Sequence, residues 1–207
     1  MTKKIILSSL LFIPILFSTG CMNSSQPIPI VTTTNSTAII AEIHTNSNTL
    51  STIKENQNEG RVRNMKTVQG DTIIVNEYNR GFDFPQYQGK IVLVQIFGKE
   101  CQYCFEEIPT INKIQNAYRD KLSVIAIQGQ PPMSKEKAFE LIREHQMNYP
   151  IIDQDEAKSI LVFLRDVYNW RGILPYIMLI KNGQIEQVFQ GAGKSFEEIS
   201  EGINEIQ

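Results

Sequence analysis

The run KIVLVQIF, Lys90 to Phe97, limits most tightly what this chain can fold into. Apart from Lys90 and Gln95 it is apolar without alternation, the composition of a strand covered on both faces. Such a strand belongs in the middle of a sheet, with other layers above and below it. Downstream, Cys104, Ile108, Ile111, Gln115 and Tyr118 recur at spacings of four, three, four and three, which predicts a helix starting near Cys101 with Cys104 on its inward face. Leu122–Gln128 (LSVIAIQ) is the next strand, and Ala138, Leu141, Ile142 and His145 mark one face of a second helix. YPII then leads to a third helix with Ala157, Ile160, Leu161, Leu164 and Val167 on one side. Strands alternating with helices predict a largely parallel sheet.

The end of the chain differs. YIMLI (Tyr176 to Ile180) and QIEQVF (Gln184 to Phe189) flank Lys181, Asn182 and Gly183, and Asn-Gly between apolar runs signals a hairpin. A last helix keeps Phe196, Ile199, Ile203 and Ile206 in phase. Ahead of the central run, TIIV (Thr72 to Val75) and FDF (Phe82 to Phe84) read as short strands. The order is βαβαβαββα, in one α/β domain over residues 66–207 with no internal repeat.

The N-terminus has another composition. Lys3 and Lys4 precede an apolar run from Ile5 to Phe17 that is interrupted by Pro14 and is shorter than the roughly 20 residues a spanning helix needs. Residues 1–20 therefore read as a signal peptide, and Thr19, Gly20 and Cys21 resemble a bacterial lipoprotein processing site with Cys21 as the lipidated residue. Ser18 departs from the apolar residue usual at that position. Residues 21–65 are rich in Ser, Thr, Asn and Gln and read as a flexible polar linker, with a span of about 35 Å for roughly 40 residues. With 20 basic residues scattered among 22 acidic ones and a net charge of -2, nothing points to nucleic acid.

Three cysteines is an odd number for an exported chain, and lipidation of Cys21 leaves Cys101 and Cys104 as a pair. In ECQYCF, haem attachment would need a histidine where Phe105 stands. Zinc would need further ligands, yet the two histidines are His44 in the linker and His145 at the end of a distant helix. Neither a metal nor another cofactor is expected. A thiol in the first turn of a helix faces the positive end of the helix dipole, which favours its thiolate. Cys101 would then be the attacking sulfur and Cys104 the resolving one. The alternative is a structural staple, a weak one because a loop this short removes little unfolded-state entropy.

Over about residues 66–207 these motifs, in register, resemble the thioredoxin superfamily, and within it the membrane-tethered extracytoplasmic proteins of the TlpA/ResA type. The resemblance rests on KIVLVQIFG leading into KECQYC, on Pro109 five residues after Cys104, and on ILPYIMLIKNGQI. It implies a thioredoxin fold, a central mixed sheet with helices on both faces. It implies that Pro175 is a cis-proline lying against the cysteines, shaping the groove where a substrate strand pairs. It also implies a role in proton handling for Glu107, which is chemically reasonable for a carboxylate about one turn beyond Cys104 whose proton affinity burial can raise. Glu106 reads as an ordinary solvated carboxylate.

The departures matter as well. Glu100 stands where thioredoxins usually have Trp, and its charge opposes a neighbouring thiolate. Gln102 and Tyr103 replace the familiar intervening pair, and Gln95 replaces a buried aspartate. GAGKS (Gly191 to Ser195) imitates a phosphate-binding loop but lacks its first glycine, with Val188 in that place. Gly98 stands where a peroxide-reducing relative needs threonine. Trp170 reads as a packed aromatic, with the border of a substrate groove as its alternative. The functional expectation is an envelope protein, lipid-anchored and facing the periplasm or cell exterior, that reduces disulfides of exported proteins such as apocytochrome c and draws electrons from a membrane thiol-disulfide donor. Its rivals are an oxidant that forms disulfides and a binding or assembly lipoprotein whose disulfide stays closed.

Overall fold

The computed structural model describes residues 60–207. The stretches read as signal peptide and linker, with Cys21, lie outside the described residues as far as Glu59. Two sheets form the frame. A three-stranded antiparallel sheet joins β1 (Arg61–Lys66), β2 (Thr72–Tyr78) and β3 (Gly81–Asp83). A five-stranded sheet contains β4 (Ile91–Phe97), β5 (Leu122–Gln128), β6 (Ile151–Ile152), β7 (Tyr176–Lys181) and β8 (Gln184–Gln190), in the order β6-β5-β4-β7-β8. The helices are α1 (Gln102–Ala117), α2 (Lys135–His145), α3 (Lys158–Val167) and α4 (Phe196–Glu205).

All of β4 is buried, as its composition predicts, and it holds the centre of the larger sheet. Its alternate side chains feed two cores. Val92, Val94 and Ile96 join Met65, Val75 and Phe82 of the small sheet and Ile160 and Leu164 of α3. Leu93 and Phe97 join Cys104, Ile108 and Ile111 of α1, Leu141 of α2, and Ile199 and Ile203 of α4. Helices thus cover both faces. The steps β4-α1-β5 and β5-α2-β6 are parallel crossovers toward the same edge, which puts α1 and α2 on one face.

The sheet is mixed, as the resemblance implies, with the parallel pairing expected from alternation confined to β4, β5 and β6: β7 pairs antiparallel with β4, and β8 antiparallel with β7. The tight hairpin accounts for the second of these pairings. Asn182 and Gly183 both have positive φ, 51° and 78°, the geometry that an Asn-Gly turn supplies. At the other end, residues 61–65 are strand, although their sequence reads as linker. RVRNMK buries only Met65, so its apolar pattern is nearly silent, and its order comes from six residue pairs with β2. FDF shifts by one residue to Gly81–Asp83. Val167, expected on the inward side of α3, is exposed at the helix's last residue.

The small sheet is attached at the edge strand β6. Thr67 bridges to Ile152, and the Val68 N–H donates to the Ile151 carbonyl at 2.8 Å. The Gln69 side chain donates to the Tyr149 carbonyl at 2.9 Å and accepts from the Ile151 N–H at 3.1 Å. A second attachment joins the two hairpins, where the Gly81 backbone lies against the Gly183 carbonyl and leaves no room for a Cβ. Gly81→Ala should therefore destabilise the domain by about 1–3 kcal/mol. Urea unfolding should show a lower midpoint at an unchanged m-value.

Candidate active site

Strand β4 ends at Phe97, and Gly98, Lys99 and Glu100 carry the chain to Cys101, the N-cap of α1. This loop is held from the side by residues 128–133. The Gln130 Oε1 accepts from the Glu100 N–H at 3.0 Å, and Lys99 Nζ donates to the Pro132 carbonyl at 3.2 Å. Gln130 is held in turn: its own N–H donates to Gln128 Oε1, and Gln128 Nε2 donates to the Pro131 carbonyl at 2.9 Å and to Asp153 at 3.2 Å. Asp153 also accepts from the Met133 N–H at 2.8 Å. Gly98 makes this packing possible, because a Cβ there would come within 2.6 Å of the Gln130 amide carbon.

Cys101 and Cys104 are joined as a disulfide with Cα atoms 5.2 Å apart. Cys101 is partly exposed, whereas Cys104 is fully buried among Phe97, Ile108 and their neighbours. The Cys104 N–H donates to Cys101 Sγ at 3.2 Å, so the first-turn amide that a thiolate would use is already directed at that sulfur. Tyr103, between the cysteines, is 63% exposed. Glu100 is exposed too, and solvent screens its charge from the sulfur. Pro109 lies inside α1, where it removes one rung of the helical hydrogen-bond ladder.

The Leu174–Pro175 peptide is cis. Pro175 is buried, and Leu174 packs against both cores, including the one that holds the cysteines. Ahead of it, Trp170 is half-buried, tilts against Tyr176 with ring centroids 6.0 Å apart, and donates through Nε1 to the Ile173 carbonyl at 3.0 Å. Ile173 itself is 47% exposed. His145 is stacked on Phe105, with centroids 4.1 Å apart and planes 8° from parallel. Among the described residues no group of three or more His, Cys, Asp or Glu is arranged to hold a metal ion.

Glu107 is 4% exposed, one turn beyond Cys104 on the same face of α1. Its carboxyl is pushed up to about 7, chiefly by burial. The Lys194 backbone N–H, the Gln95 amide and the Lys194 ammonium pull it down, and the Glu198 carboxylate adds to the rise. Neither carboxylate oxygen, nor Gln95 Nε2, has a partner within ordinary hydrogen-bond geometry. Gln95 is fully buried, and its Oε1 accepts from the Tyr149 hydroxyl at 3.3 Å. Burial first, then the Glu107 charge, raises Tyr149 well above the ordinary phenol range, so that hydroxyl stays protonated.

Gln95 stands out in the sequence as the one polar residue between Ile91 and Phe97; Tyr149, Gln130 and Asp153 carry no such signal, because only folding brings them to the site. A half-exposed cysteine capping a helix, its buried partner one turn in, and a cis-proline ahead of an antiparallel hairpin define a thioredoxin-fold site. No protein-family model matches the chain. Over 108 residues it is 32% identical to the thiol-disulfide oxidoreductase ResA of Geobacillus kaustophilus, an alignment covering 51% of this chain and 57% of that one. Over 66 residues it is 30% identical to the thioredoxin-like protein YneN of Bacillus subtilis, covering 31% and 39%. The chain thus spans a little over half of one curated relative and less than half of the other. The thioredoxin domain of a thiol-disulfide oxidoreductase from Bacteroides vulgatus superposes with a TM-score of 0.53 at 19% identity, over 72% of this chain and 97% of that one. The fold is the one that thioredoxin domain has, and over the matched residues the chain is similar to ResA and YneN.

Glu107 also makes stability depend on pH. Its folded value, about 7, lies above its ordinary 4.5, so between those values the native state binds the proton more tightly than the unfolded chain does. This contribution is fully present below pH 4.5 and fades as pH rises to 7. Glu107→Gln should flatten that part of the curve and gain relative stability at pH 8, as read by urea unfolding at pH 5 and pH 8.

Proposed function

We propose that this protein is an extracytoplasmic thiol-disulfide oxidoreductase, tethered to a membrane through Cys21, that reduces disulfides of exported proteins. One observation carries the reading: Cys101 reaches solvent at a helix N-terminus while Cys104 and Glu107 lie buried behind it. The name of the ResA relative supports the activity, and the sequence pattern at residues 1–21 supports the location.

In the reduced protein the Cys101 thiolate attacks a substrate disulfide. One substrate sulfur leaves and takes a proton from water, and the other is held in a mixed disulfide with Cys101. Glu107, as carboxylate, accepts the Cys104 thiol proton. The Cys104 thiolate then attacks Cys101 Sγ, the mixed disulfide breaks, and the second substrate sulfur leaves as a thiolate that is protonated in turn. Two electrons pass to the substrate, and the Cys101–Cys104 bond remains. A membrane thiol-disulfide donor would restore the dithiol. In this reading Pro175, two residues after the exposed Ile173, bounds the groove in which the substrate strand lies.

Cys104→Ser should accumulate mixed disulfides through Cys101 in cells, visible as reducible adducts on non-reducing gels. A closed-disulfide binding module would give none, even after chemical reduction. The reduction potential of the pair should fall near that of thioredoxin, about -270 mV, and a value near the DsbA range, about -120 mV, would reverse the direction of electron flow. At pH 7 Glu107→Gln should slow resolution of the mixed disulfide by about 100-fold, the ordinary loss on removing an acid/base group, with little change in the first attack by Cys101.

A further inference from the structure

We propose that Tyr149 and Gln95 are positioning residues that hold an amide NH2 toward the Glu107 carboxylate and so govern when Glu107 takes the Cys104 proton. The proposal rests on the oxidoreductase reading for its redox consequence, but its geometry stands apart from it.

A buried glutamine amide can face a carboxylate with either end. Its oxygen would suit a protonated Glu107, and its NH2 would suit an ionised one. Here the choice is made from behind. The Tyr149 hydroxyl donates to Gln95 Oε1 at 3.3 Å, and because the amide is planar this turns Nε2 away from Tyr149. Nε2 is buried with no other hydrogen-bond partner, and the buried Glu107 oxygens have the Lys194 backbone N–H as their other neighbouring donor, so the carboxylate is the outlet left to Nε2. Strand parity agrees: Gln95 projects from β4 on the side of Leu93 and Phe97, the core that holds Cys104 and Tyr149.

Tyr149 is itself fixed. Its carbonyl accepts from Gln69 Nε2 at 2.9 Å, while Gln69 Oε1 takes the Ile151 N–H at 3.1 Å. The turn between β1 and β2 therefore sets where the phenol sits. The charged and titratable groups around Glu107 are few. Lys194 and Glu198 act from the start of α4, Tyr149 from the segment before β6, and Cys104 lies on α1 itself. His145 of α2 is engaged with Phe105.

Removing the NH2 leaves the carboxylate with less compensation for burial, so its proton is held more tightly. Removing the phenol frees the amide to present its oxygen, with the same sign. The test is the Glu107 titration followed by carbon NMR of side-chain-labelled glutamate in the oxidised protein, which needs no turnover. Tyr149→Phe and Gln95→Leu should each raise the midpoint by about one pH unit, a tenfold change in proton affinity. Tyr149→Phe keeps the ring and fills the same space, so it serves if Gln95→Leu does not fold. An unchanged or lowered midpoint in the folded variant overturns the proposal. The pH profile for resolution of a Cys101 mixed disulfide with a model peptide should move upward by the same amount; a midpoint that moves while this profile stays still overturns the link to Cys104. If the wild-type chain exchanges no disulfides at all, the oxidoreductase reading fails, and the midpoint still decides the positioning role.

Discussion

The burial of β4 on both faces is the constraint from which the rest of the domain follows. A strand with no wet side needs a layer on each face, and the chain supplies α1, α2 and α4 on one, with α3 and the small sheet on the other. It also needs neighbours along both edges, and β5 and β7 provide them. The site inherits its placement from this strand. Cys101 lies just past the carboxyl end of β4, where parallel strands hand over to helices, and α1 is pinned against the sheet by Ile108, Ile111 and Ile114. Cys101 therefore stands on rigid elements, while its loop is held laterally by Gln130 and the Asp153 cluster.

Inside that packing the protein keeps a carboxyl group whose ionisation burial opposes. An apolar residue would pack there at less cost. In the proposed mechanism the carboxyl contributes a proton acceptor close to neutrality, one turn from a sulfur that must lose its proton to act. Lys194 and Gln95 temper the effect of burial, so Glu107 can change charge within the ordinary pH range instead of staying protonated. The same group weakens the fold as pH rises, which couples the chemistry of the site to the stability of the domain.

Much of this was legible in the sequence, and the parts that were not have identifiable reasons. The β4 run, the periodic face of α1 and the Asn-Gly hairpin are local signals, and each element formed where its residues indicated. The cysteine pair was legible for the same reason, since both residues lie within one helical turn. The antiparallel pairing of β7 with β4 was not visible in the alternation of strands and helices, which says nothing of how β7 pairs across β4, and entered only through the resemblance. Strand β1 was missed because its order comes from pairing rather than from its own apolar pattern. Tyr149 was invisible as a site residue, since 54 positions separate it from Gln95 and only the sheet brings them together.

The Gln69 clamp has a consequence beyond the site. Its side-chain amide takes the Tyr149 carbonyl and the Ile151 N–H, so one residue of a turn imitates the peptide group of a neighbouring strand. Together with the Val68 and Thr67 contacts, it occupies the outer edge of β6. A bare edge there would offer backbone groups to any extended chain nearby. With Gln69 and its neighbours in place, the backbone of β6 is closed to strand addition along that edge.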